Sequence, residues 1–155
     1  PYVTQERPVH GWELDEICES RGITLGAGDA VVVYSGREAF SRDKGYPWGA
    51  GTSSTPDQIG PDRPGLHASC LEFLRRRDCA VLVWDMMDMF PNGVGVTWSV
   101  HGAIFAFGLA LVDNALLEPL AELCRAENRT DFMFVAAPLP VEGGTGSPLN
   151  PLAVL

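Results

Sequence analysis

The stretch His67-Ala-Ser-Cys-Leu-Glu-Phe-Leu-Arg-Arg-Arg-Asp-Cys-Ala-Val-Leu-Val-Trp-Asp-Met-Met-Asp88 changes its hydrophobic period halfway along. In the first half Leu71 and Leu74 recur at helical spacing and Arg75–Arg76–Arg77 stands at the C-terminal end, where cations complement the helix dipole, so the spacing predicts a helix over His67–Arg77. In the second half Cys79–Trp84 is an unbroken apolar run, as expected of a strand buried on both faces, and it stops at Asp85, where we expect the chain to meet a polar environment. A helix leading directly into such a strand is the signature of an α/β protein with a parallel sheet.

The same alternation continues outward in both directions. Upstream, Trp12, Leu14, Ile17 and Cys18 predict a helix over Gly11–Ser20, stopped by Gly22, and Ala30–Tyr34 reads as a second strand buried on both faces, ended by Gly36. Residues 37–63 are rich in Gly, Pro and polar residues without periodicity, and we read them as a long irregular loop of the kind that shapes a site. Downstream, the pattern predicts a short helix from His101 to Phe107, a break at Gly108, a strand Leu109–Val112, a helix Leu116–Arg125 and a strand Phe132–Ala137. The apolar tail Leu149–Leu155 adds a peripheral strand, since Pro148 and Pro151 bar it from a sheet centre.

With 155 residues, 46% of them hydrophobic and 20% charged, the chain is sized for one globular domain with a real core. A net charge of −9 with one short basic run argues against nucleic acid as a partner. No window reaches the roughly 18 apolar residues of a membrane span, so no membrane is expected. Cys18, Cys70, Cys79 and Cys124 are scattered without a Cys-x-x-Cys pair, which disfavours a zinc ribbon and points to packed free thiols in a reducing, cytoplasmic setting.

His101 and Asp113 stand twelve residues apart in the otherwise apolar run Val100–Leu117. An imidazole or carboxylate removed from water must be hydrogen-bonded, paired or metal-bound, so each is either a satisfied structural group or a site residue. Asp85 and Asp88 form a carboxylate pair at a strand end that reads equally as a metal site or as turn-stabilising, helix-capping residues. His10 and His67 have no partner at useful spacing and read as surface or helix-start histidines. Trp48, Trp84, Trp98, Phe105 and Phe107 are either core or the lining of an aromatic substrate pocket. The run Glu142–Pro148 has the glycines of a phosphate cradle but no following Lys, and reads as a tight turn that brings backbone, with Glu142, near a metal pocket.

The segments LGAGDAVVVYSG, PGLHASCLEFLRRRDCAVLVWDMMDM, VHGAIFAFGLALVDNALLEPLAEL and FMFVAAPLPVEGGTGSPLNPLAVL together resemble the second half of the cyclase-type metal-dependent hydrolases, the kynurenine formamidase and isatin hydrolase group. The resemblance runs from about Thr4 to Leu155. It implies an α/β chain with the swivelling β/β/α fold, residues 1–155 forming the C-terminal portion of one domain. It also implies hydrolysis of a C–N or C–O bond in an aryl formamide, cyclic amide or lactone, a divalent metal (zinc or manganese), a small aromatic or cyclic substrate, and a homo-oligomer. In that family a His and a Glu twelve residues apart ligate the metal, which implies His101 as ligand and catalytic residue. Asp113 falls where Glu stands, with the same hard oxygens on a shorter arm. The family does not use the positions of Asp85 and Asp88 as direct ligands. The His-x-Gly-Thr-His-x-Asp-x-Pro segment that supplies its other ligands is absent here, and the chain opens on Pro1. We therefore expect a partial active site, completed by an N-terminal half of the same protein or by a companion chain; the alternative is a non-catalytic subunit or binding domain that keeps the fold without a metal.

Overall fold

The computed structural model describes residues 1–49, 63–96 and 98–155. They divide into two compact units, Pro1–Glu118 and Pro119–Leu155.

The first unit is built on a three-stranded parallel sheet, β1 (Ala30–Val33), β2 (Val81–Trp84) and β3 (Ala110–Val112), in the order β1-β2-β3. The register pairs Val31 with Leu82 and Leu82 with Leu111, so the three strands end level with one another. Two helices, α1 (Gly11–Arg21) and α3 (Cys70–Arg76), pack together. Leu14 and Cys18 of α1 meet Cys70, Phe73 and Leu74 of α3 in a core that continues through Val31, Val33, Leu82 and Trp84 of the sheet. Gly22 ends α1 with a left-handed backbone (φ 65°), which frees its N–H and that of Ile23 to bond the last turn. The arginines at the end of α3 are tied down: Arg76 and Arg77 both pair with Asp15 on α1, at 2.5 and 2.6 Å.

The sheet departs from the expectation of strands buried on both faces. β2 is buried at Leu82, Val83 and Trp84, whereas β1 alternates, with Val31 and Val33 buried and Ala30 and Val32 half-exposed. β1 lies at an edge, and within this unit the apolar core covers the face that Val31 and Val33 present.

Residues 37–63 are not an irregular loop throughout. Their start is a helix, α2 (Arg37–Lys44), between two left-handed glycines, Gly36 (φ 92°) and Gly45 (φ 74°), with Glu38 in its first turn, Arg42 and Lys44 in its last, and Phe40 buried against Trp48 and Met86. A single apolar anchor shows no periodicity, and the helix forms because its N-terminus is capped from a distance. The part of the expected loop from 50 to 62 lies outside the described residues.

After β2 the chain makes a short bridge to the segment before α3, where Leu66 N–H donates to Met87 O at 2.8 Å and Met89 N–H to Leu66 O at 3.0 Å. Gly65 is obligatory here, because a Cβ would stand 1.9 Å from the Met87 carbonyl oxygen. A 3-10 turn, Val100–Gly102, leads into α4 (Ala103–Phe107), with Val100 and Ala103 fully buried. The C-cap Gly108 (φ 73°) then turns the chain into β3.

Most of α5 (Glu118–Ala126) belongs to the second unit, with an antiparallel pair, β4 (Met133–Val135) and β5 (Leu152–Val154), in which Met133 faces Val154 and Val135 faces Leu152. The tail strand after Pro148 and Pro151 is therefore present. The glycine-rich run is a turn, closed by Gly144 N–H on Val141 O at 3.0 Å. No helix among the described residues is long and apolar enough to cross a membrane.

Candidate active site

Parallel strands deliver whatever follows them to one end of the sheet, and here they deliver Ser35, Asp85 and Asp113 to the same carboxyl edge, the usual position of α/β sites. The polar environment that Asp85 meets is backbone N–H groups, not solvent. Asp85 is fully buried, and its carboxylate accepts the backbone N–H groups of Ser35 (2.7 Å), Gly36 (2.8 Å), Arg37 (2.9 Å) and Met86 (2.8 Å). Of the two sequence readings, the capping one holds: Asp85 supplies the acceptors that the first turn of α2 lacks.

Asp88 also caps backbone, at the start of the 3-10 turn, and in addition it holds the histidine ring. It too is fully buried, and its Oδ1 accepts the Ser99 hydroxyl at 3.1 Å, the Val100 N–H, and the His101 N–H at 3.3 Å. Its Oδ2 bonds His101 Nδ1. On the opposite side of the ring, His101 Nε2 lies 3.1 Å from Asp113 Oδ2. The Oδ1 of Asp113 accepts the Trp84 indole N–H. The structure thus brings His101 and Asp113 together, and Asp88 and Trp84 join them. The sequence held one sign of Asp88: a buried histidine whose ring must be oriented needs a carboxylate or carbonyl on its second nitrogen.

Two aromatic rings frame the imidazole, Trp84 at 5.3 Å between centroids and Trp98 at 4.8 Å. The guanidinium of the buried Arg63 stacks on Trp98 at 4.2 Å and donates from Nε to the Asp88 carbonyl at 2.8 Å. The other aromatic candidates do not converge here. Trp48 is buried with its indole N–H on Pro64 O, and Phe105 is 91% exposed.

Charge follows from this arrangement. Burial works against an imidazolium at His101, but hydrogen bonds to Asp113 and Asp88, with their negative charges, outweigh it and raise the pKa to about 9. Burial likewise works to raise the carboxyl of Asp88, yet the His101 hydrogen bond and charge and the backbone N–H groups of Val100 and His101 hold it below the ordinary carboxylate value. Asp113 is lowered in the same way: burial and the charge of Asp88 oppose the shift, and hydrogen bonds from His101 and Trp84 prevail.

With Nδ1–H given to Asp88, a neutral His101 directs the Nε2 lone pair at a carboxylate oxygen. That contact needs a cation between or upon the two atoms, a proton or a metal ion. Ligands about 2.0–2.2 Å from one ion can stand 3.1 Å apart, so the donor pair fits part of a coordination sphere, with Asp88 orienting the imidazole. Among the described residues no cluster of three or more His, Cys, Asp or Glu is placed to hold a metal, so this pair falls short of a complete site.

His10 and His67, which the sequence separates, are neighbours, their rings 4.5 Å apart where α1 begins beside α3. Ser69 N–H donates to His67 Nδ1 at 3.1 Å, and Ser69 Oγ accepts Gly11 N–H at 3.0 Å, a helix-start arrangement. Cys18, Cys70 and Cys79 are buried free thiols, and burial pushes Cys70 up to about 12.

No family model and no curated protein matches the chain. Among solved structures, a crystal structure described as that of a novel cyclase matches with a TM-score of 0.74 at 22% sequence identity, over 96% of this chain and 47% of that one. The chain therefore has a cyclase-type fold of mixed helices and strands, and it spans about half the length of the solved structure that it matches.

Proposed function

We propose that the chain forms one wall of the active site of a metal-dependent hydrolase that cleaves a C–N or C–O bond in an aryl formamide, cyclic amide or lactone. The observation that carries this reading is the convergence of His101 Nε2 and Asp113 Oδ2 at the carboxyl edge of the sheet, with Asp88 locking the far side of the imidazole. These two atoms are the chain's ligands for a zinc or manganese ion, and the remaining ligands come from the N-terminal half of the same protein or from a companion chain. When bound, such an ion lowers the pKa of a coordinated water and polarises the scissile carbonyl. Asp88 keeps the Nδ1 proton in place, which fixes the tautomer with Nε2 facing the reacting groups. Trp98, 40% exposed beside His101, offers a flat apolar surface to an aromatic or cyclic substrate. The protein working in the cytoplasm as a homo-oligomer belongs to the same reading.

The shortage of described ligands favours a second reading, a non-catalytic binding subunit in which His101 is an imidazolium bridging two aspartates. Metal content of the native material, together with its companion chain if one co-purifies, separates the two. The hydrolase reading expects bound zinc or manganese and a loss of at least about a hundredfold in aryl formamide, lactam or lactone hydrolysis in His101→Ala. Metal-free native material, or unchanged rates in the variant, refutes it.

A further inference from the structure

Trp84 closes β2 and is fully buried, yet its one polar atom is not spent on the core: the indole N–H reaches Asp113 Oδ1. The two residues are also joined through the backbone. Val83 pairs with Val112 in the sheet, and Ala115 N–H donates to Trp84 O at 3.0 Å, so the turn that carries Asp113 is anchored to the residue that bonds its side chain. An indole N–H is a donor and nothing else, so it can hold a carboxylate oxygen without competing for a cation.

We propose that Trp84 is a positioning residue that sets how Asp113 meets a metal. With Oδ1 held by the indole, Oδ2 is the single oxygen presented beside His101 Nε2. The device suits an aspartate in particular. The side chain of Asp113 is 38% exposed and one methylene shorter than glutamate, and without the indole it is free to turn toward solvent or to offer both oxygens. The sheet edge thereby gains one carboxylate oxygen at a fixed place, while the ring of the same tryptophan, 5.3 Å from the imidazole, closes the apolar side of His101.

This rests on the metal reading above, and the test separates the two. Zinc affinity of the full chain, with any companion that co-purifies, is measured by competition with a chelating indicator, and the visible spectrum of the cobalt-loaded protein is recorded, for the parent and for Trp84→Phe. The expected result is a parent that binds zinc and a variant that folds by circular dichroism, binds zinc about 10- to 100-fold more weakly, and shows altered cobalt bands. Affinity within twofold and an identical cobalt spectrum overturn the role of Trp84 and leave the metal reading standing. A parent that binds neither ion overturns both. Should Trp84→Phe fail to fold, zinc titration of the parent decides: among its four indole N–H resonances, the one assigned to Trp84 by its displacement in Asp113→Asn must shift on zinc saturation, and an unmoved resonance overturns the proposal.

Discussion

Asp88→Asn is the most informative single perturbation of the site. The replacement has nearly the same shape, but it sets an amide where a fully buried carboxylate accepts four hydrogen bonds, from the Ser99 hydroxyl, the Val100 and His101 backbone N–H groups and the His101 ring. An amide has one acceptor oxygen and two N–H donors, so at least one of these donors faces another donor. Hydrogen bonds to a charged partner are worth about 1.5–3 kcal/mol each, and stripping one member from a buried pair costs about 3–5 kcal/mol. We take about 3–4 kcal/mol as the expected destabilisation. With a urea slope of about 1–3 kcal/mol/M, the midpoint of urea unfolding should fall by roughly 1–4 M in chelator-treated protein at pH 7. The same change removes one of the two carboxylates that raise His101, so its ring titration, followed by NMR, should move down from about 9 toward the ordinary value of about 6.5. A midpoint shift below about 0.5 M with an unchanged slope, or a His101 titration that stays near 9, would refute the assignment of Asp88 as the anchor of the imidazole.

Two further outcomes follow from the same geometry. Because the folded state raises His101 from 6.5 to about 9, its contribution to metal-free stability is complete below about pH 6.5 and is lost as pH rises through about 9. With the ring 20% exposed, that contribution is between about 1 and 3 kcal/mol; thermal midpoints measured from pH 6 to 10 should show a decline that is absent in His101→Gln, and parallel curves for the two proteins contradict the ion-pair geometry. Gly65→Ala drives a Cβ to 1.9 Å from the Met87 carbonyl oxygen and should destabilise by at least about 3 kcal/mol or prevent folding; a thermal unfolding curve matching the parent's would show that the bridge between Leu66 and Met87 yields.

Much of the secondary structure is legible because it is local. The apolar run before Asp85, the helical spacing of Leu71 and Leu74, and the positions of Gly22 and Gly108 each report on a few neighbouring residues, and each element they predict is present. What escaped depends on contacts between distant segments. α2 carries one buried apolar residue, Phe40, and its first turn is capped by Asp85, 48 residues away from Arg37. The pairing of His10 with His67 arises where α1 begins beside the start of α3, and the bond from Asp88 to His101 arises where the 3-10 turn returns to the segment that follows β2. The spacing of His101 and Asp113 was legible because the short α4 and β3 alone separate them, whereas the residues that orient the pair, Asp88 and Trp84, lie on a different strand connection. Alternation in β1 was masked by composition, since Ala30–Val33 is apolar on its half-exposed face as well.

The Asp85 carboxylate has a dynamic consequence. Ser35, Gly36 and Arg37 lie beyond the end of β1 and outside any ladder, yet their amides are held by a charge that cannot leave the interior without carrying the end of β2 with it. The corner between β1 and α2 is therefore part of the same cooperative opening unit as the central strand. Its amides should exchange with solvent at the slow rate of the sheet, not at the rate of a surface turn, so the floor beside the site opens only when the whole sheet does.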